Sequence, residues 1–166
     1  MPHLLAQAAP LTAVDIFSGR RTLLMFAKAF KEGERFPCAG NEYVMLLPRD
    51  VTDCCEVVLE DIAVGGETPS NAHTTFNQVF IVLQGEAEIS IGKDKGQVSA
   101  PAIAYVPKNT NHSVRNVGTV NLRYVYITIW SNGIPDDEKL GGWKEACAAM
   151  VREYSERGYP PKLNGD

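Results

Sequence analysis

From residue 42 to residue 130 the chain reads as short apolar stretches cut by turn signals. Segments 42–47, 56–64, 78–83, 87–91, 102–106, 113–117 and 122–130 are rich in Val, Ile, Leu and aromatic residues, as half-buried or buried strands are. Gly65-Gly66, Gln84-Gly85, a hairpin tip over 92–96 and the 107–111 stretch punctuate them. Strands this short and this closely spaced predict an all-β sandwich or barrel. The flanks follow another period. Val14, Phe17, Leu24, Phe26 and Phe30 recur at loosely helical intervals over 12–33, with a break at Ser18-Gly19. Gly33, Pro37 and Gly40 predict a loop over 33–40. Trp143, Cys147, Met150, Val151 and Tyr154 form a helical stripe over 142–157, bounded by Gly141-Gly142 and by Gly158 with Pro160-Pro161. That stripe suits packing against the barrel. The expected organisation is one domain: a helical arm over 1–41, a barrel over 42–131, and a C-terminal helix and tail over 132–166.

Composition narrows the function classes. The chain has 166 residues, 45% of them hydrophobic and 22% charged, enough apolar material for one core. A net charge of −4 lacks the basic footprint of a nucleic-acid binder, so no nucleic-acid partner is expected. The apolar runs are too short to span a membrane. No Lys or Arg precedes Arg20 and the opening apolar run is short, which argues against a signal peptide and for a cytoplasmic location. Cys38, Cys54, Cys55 and Cys147 match no CxxC pair and read as free thiols.

Candidate chemistry concentrates on two of the three histidines. His3 lies near the terminus and reads as a solvated side chain. His73 follows the turn Gly65-Gly66-Glu67-Thr68-Pro69-Ser70-Asn71-Ala72 and precedes Gln78 and Gly85. His112 follows Pro107-Lys108-Asn109-Thr110-Asn111 and precedes Asn116. This arrangement resembles the two motifs of the cupin superfamily. In the first motif Gly65, His73 and Gly85 match, Asn71 stands where a His belongs, and Gln78 replaces the Glu. In the second, Pro107, His112 and Asn116 match, Asn109 stands for the inner Gly, and Pro101 replaces the leading Gly. Asn tolerates left-handed backbone better than most residues, so that change is mild.

The resemblance implies a double-stranded β-helix, the cupin jelly roll, with a pocket in its mouth. It also implies dimerisation through paired or exchanged edge strands, hence a homodimer. Its usual site holds iron, manganese, nickel, zinc or copper on three His and one Glu. Here that implies a divalent transition metal (Fe, Mn, Ni or Zn) on Asn71, His73, Gln78 and His112. The spacing is physically consistent: residues two apart on a strand share a face, so Asn71 and His73 can aim at one point. Two of the four ligands would be neutral amides, and the Glu that offsets the metal's charge is gone. Either a weakened metal site or a pocket whose imidazoles only hydrogen-bond follows.

Other residues are candidates for acid–base work. Leu122, Tyr124, Tyr126, Thr128 and Trp130 alternate along the last strand, placing Tyr124 and Tyr126 either in the pocket or in ordinary core packing. Glu60 and Asp61 lie on opposite faces of one strand, so one of them faces the barrel as a base unless both sit at a solvated edge. Tyr105 is expected at the mouth, and Arg115 and Asn116 at a turn or strand end. The leading expectation is a metal-dependent enzyme acting as a Lewis acid on a small chelating metabolite: a hydroxy acid, keto acid, sugar acid or enediol. The rival is a non-catalytic metabolite-binding or structural module.

Overall fold

A computed structural model describes residues 28–160. Nine antiparallel strands form two sheets. Strands β1 (Glu34–Cys38), β2 (Asn41–Leu47), β3 (Cys55–Ile62), β4 (Asn77–Gln84), β7 (Ala102–Val106) and β9 (Leu122–Ile129) make the larger sheet, in the order β1-β2-β3-β9-β4-β7. Strands β5 (Glu86–Ile91), β6 (Asp94–Ser99) and β8 (His112–Asn116) make the smaller one, in the order β6-β5-β8. Helices α1 (Asp136–Leu140) and α2 (Gly142–Glu156) follow the last strand. This is the all-β architecture that the strand texture predicts, in the jelly-roll form that the family resemblance implies. Among the described residues no helix is long and apolar enough to cross a membrane.

The main core lies between the sheets. Ile62, Phe80, Val82, Leu122 and Tyr124 from the larger sheet meet Ala87, Ile89 and Val114 from the smaller. The smaller sheet leaves part of the larger one bare, and α2 fills in there. Its stripe of Trp143, Cys147, Met150, Val151 and Tyr154 packs on Phe36, Tyr43, Met45, Val58 and Tyr126. The helix is seated at its start by Asp50, whose carboxylate accepts the Trp143 amide at 3.1 Å. Its far end is tied by Arg157, which donates to the Ser70 carbonyl at 2.7 Å.

Several elements differ from expectation. Residues 34–38 are a strand, not a loop. β1 is an edge strand, where Pro37 costs no ladder bond, and it turns into β2 through Ala39 and Gly40, both at positive φ. The hairpin tip shrinks to Gly92-Lys93, and the polar residues beyond it form β6. β6 is exposed almost throughout, so it lacks the apolar alternation by which strands are recognised. Of the helix expected over 12–33, only a 3-10 turn at Phe30–Glu32 lies among the described residues; the rest, with His3, lies outside them. All four cysteines are free.

Candidate functional site

One cavity of about 110 Å³ opens between the two sheets and α2. Asn71, His73, Gln78, His112, Glu60, Tyr124 and Tyr126 all line it. Three groups of elements deliver them.

The first is the long connection from β3 to β4, which carries Asn71 and His73. It is held against β8 by backbone pairing: the Asn71 amide donates to the His112 carbonyl at 3.2 Å and the His112 amide to the Asn71 carbonyl at 2.9 Å. Thr68 repeats this one pair along, donating to the Val114 carbonyl at 2.8 Å. The Asn109 amide donates to the His73 carbonyl at 2.6 Å. Asn109 does so from φ +61, the left-handed conformation expected where the motif has Gly. His112 opens β8, and its Nδ1 lies 3.0 Å from the Thr110 carbonyl. A carbonyl only accepts, so Nδ1 carries the proton and Nε2 is left with its lone pair. The two imidazole centroids are 5.2 Å apart, and His73 stacks on Phe76 at 4.3 Å. Burial pushes His73 down to about 4, reinforced by His112 beside it, and burial lowers His112 as well, against the pull of the Thr110 carbonyl. Both rings are neutral at pH 7.

The second group lies on β2, β3, β4 and β9. Register decides which side chains meet: Glu60 pairs with Tyr43 on one side and Tyr124 on the other, and Gln78 pairs with Thr128. Glu60 is 2% exposed. It accepts Asn41 Nδ2 at 3.0 Å and the Tyr124 hydroxyl, and Tyr43 adds a further bond. Burial raises its carboxyl to about 7; these three donors pull the other way, and Asp61 nearby raises it further. Asp61 itself faces out, paired with Arg123 at 2.7 Å. Burial drives Tyr43, Tyr124 and Tyr126 well above the usual phenol range, so all three are neutral donors. Gln78 Nε2 lies 3.4 Å from the Thr128 hydroxyl.

The third group comes from α2 and from the corner between β2 and β3. Met150 and Tyr154 of α2 close one side of the cavity, and Asn71 Nδ2 donates to the Tyr154 hydroxyl at 2.5 Å. Arg49 and Glu56 also line it. Their guanidinium–carboxylate pair is two-pronged, at 2.8 and 3.1 Å. Sequence reasoning missed Tyr43, Arg49, Glu56, Phe76 and Tyr154. Tyr43 and Glu56 carried a strand-alternation signal, Glu56 lying four residues before Glu60 on β3; the others depend on which connection or helix folds over the mouth. Tyr105 was expected at the mouth but sits on the outer face of edge strand β7, 56% exposed. Asn116 holds a strand end, as expected, bonding the Ile62 and Val120 carbonyls and the Gly118 amide.

Residues 58–129 match the family model for the cupin domain. This chain carries a cupin domain. Solved structures agree on the fold. A predicted oxalate decarboxylase of Thermotoga maritima superposes with a TM-score of 0.58 at 17% identity, covering 63% of this chain and 99% of that one. The polyketide cyclase RemF of Streptomyces resistomycificus gives 0.57 at 12% identity, over 68% and 83%. The Cnp3 cupin domain of Schizosaccharomyces pombe gives 0.57 at 14% identity, over 81% of each. At such identities the likeness speaks for the fold alone. An uncharacterized protein of Methanocaldococcus jannaschii is 27% identical over 62 residues, 37% of this chain and 50% of its own length. The match thus spans about half of that curated relative.

The cupin metal centre can be tested against the donors present. Among the described residues no three His, Cys, Asp or Glu side chains converge on one point. His73 and His112 supply two neutral nitrogens. Asn71 and Gln78 have only amide oxygens to add, since their nitrogens are turned to Tyr154 and Thr128. No anionic donor stands among them to offset a dication. Glu60, the wholly buried carboxyl of the cavity, does not join the two imidazoles in a group of three donors. This set does not fit the three-His, one-Glu centre.

Proposed function

We propose that the cavity is a small-molecule site whose chemistry is proton transfer by Glu60. The observation that carries this is a wholly buried carboxyl, on the cavity wall, poised at about 7. A base is most effective when its pKa lies near the working pH, because it is then both available and strong enough. Glu60 combines the two opposed influences that reach this value: burial pushes it up and three hydrogen-bond donors hold it down.

The step is simple. Ionised Glu60 takes a proton from a carbon next to a carbonyl, or from a hydroxyl, of the bound molecule. The electron pair stays on the ligand as an enolate or alkoxide. The neutral imidazoles and the Gln78 and Thr128 side chains are among the polar groups that line the cavity around it. Return of the proton to a neighbouring atom completes an isomerisation, with no net change in the protein. Tyr124 and Tyr43 keep their protons throughout and hold the carboxylate in place.

The test uses ring-opening of benzisoxazole, which needs only removal of one carbon-bound proton. The wild-type rate should rise through a midpoint near pH 7. Glu60→Gln should lose about a hundredfold or more and the midpoint with it. Equal rates in the two proteins would refute the assignment. Elemental analysis of protein purified without chelator checks the donor argument separately: stoichiometric metal, lost in His73→Ala, would restore the metal-dependent reading.

A further inference from the structure

The cavity's charge inventory says what kind of ligand it takes. Arg49 is the one guanidinium or ammonium among its lining residues. That guanidinium is fully engaged. Glu56 holds it by two parallel bonds at 2.8 and 3.1 Å, Glu138 stands 3.7 Å away, and its plane lies over Trp130 at 5.1 Å from the ring centroid. The pair is desolvated, with side-chain exposures of 11% and 7%. Pulling a buried guanidinium off a two-pronged carboxylate leaves both charges uncompensated, so a ligand cannot recruit it cheaply. The two imidazoles, 5.2 Å apart in a buried wall, do not supply a cation pair either.

The uncharged walls say the rest. Phe76 and Phe80 present aromatic surface, Phe80 standing edge-on to Tyr124 at 5.4 Å, and Met150 caps them from the helix. Gln78, Thr128 and the Tyr124–Glu60 pair add hydrogen-bonding groups. The cavity, about 110 Å³ and open at its mouth, is of the order of the ~150 Å³ that holds one benzene ring.

Resting on the proton-transfer reading above, we infer that the ligand is an uncharged, hydroxyl- or carbonyl-bearing ring compound of that size, and that the Arg49–Glu56 pair acts as a filter against carboxylates. This keeps the enol end of the range expected from sequence and discards the acids.

A matched series tests it: benzyl alcohol, benzoate and benzylammonium share one ring and differ in charge. Their affinities are measured at pH 6 by calorimetry, with the His73 and His112 imidazole NMR signals reporting that binding is in the cavity. Benzyl alcohol should bind there at least about tenfold more tightly than either ion. In Glu56→Gln the guanidinium loses its two-pronged partner, and benzoate affinity should rise by about tenfold or more. Benzoate or benzylammonium binding the wild type as well as benzyl alcohol would overturn the inference. So would a series that leaves both imidazoles unmoved, or benzoate affinity unchanged in a folded Glu56→Gln protein. These outcomes are separable from failure of the parent reading, which would show as a benzisoxazole rate indifferent to Glu60→Gln while the charge preference persists.

Discussion

Replacing Glu60 by Gln should stabilise the protein, and by an amount set by pH. The folded carboxyl sits at about 7 against an ordinary 4.5. Below 4.5 it is protonated whether the chain is folded or not, and pH has no effect through it. Between 4.5 and 7 the unfolded chain has released the proton and the folded one has not, so folding takes up a proton and stability falls as pH rises. Above 7 both states are ionised and the loss is complete. At 1.36 kcal/mol per pH unit the total is about 3 kcal/mol. Gln is close in shape and has no such charge. It keeps an acceptor for Asn41, while its amide nitrogen must meet the Tyr124 hydroxyl, which can turn to accept. Any cost of that rearrangement is the same at every pH. The difference in melting temperature between Glu60→Gln and wild type should therefore be smallest at pH 4.5 and grow by roughly 6–12 °C by pH 8. Thermal unfolding of both proteins in matched buffers across this range is the assay. A difference that stays flat from pH 5 to pH 8 would show that Glu60 is not the perturbed group, and the proposed base would go with it.

Two further outcomes follow from packing and backbone. Trp143→Ala removes the buried ring that α2 sets against Phe36 and should lower stability by about 3–5 kcal/mol, read as a drop in the urea midpoint. Asn109→Gly should cost at most about 1 kcal/mol, whereas Asn109→Val, β-branched at φ +61, should cost about 1–2 kcal/mol and shift the His73 resonances, because Asn109 positions the His73 carbonyl.

The barrel was legible because most of its strands carry apolar runs, and each strand predicted between residues 42 and 130 corresponds to one in the structure, within a residue or two at each end. β1 and β6 were not, for opposite reasons. β1 hides behind Gly and Pro, residues that an edge tolerates, and β6 is a polar ribbon that needs no core face. At the site, His73 and His112 could be found from their turns, and Glu60 as one of two adjacent acids. What could not be read was which acid turned inward, since that depends on the register of β3 against β9. Arg49, Glu56 and Tyr154 reach the cavity from a connection, a strand end and a helix far apart in sequence, and no local pattern announces such a meeting.

The segment that matches the cupin domain ends at residue 129, yet the enclosure does not. Met150 and Tyr154 form part of its boundary. A fragment cut to the matched segment would keep both imidazoles and the base but would surrender the helix side of the chamber to bulk water, and would lose Tyr43, Arg49 and Glu56 as well. Any transplant or truncation intended to retain ligand selectivity has to carry the terminal helix with it, together with the stretch before residue 58 that supplies Tyr43, Arg49 and Glu56.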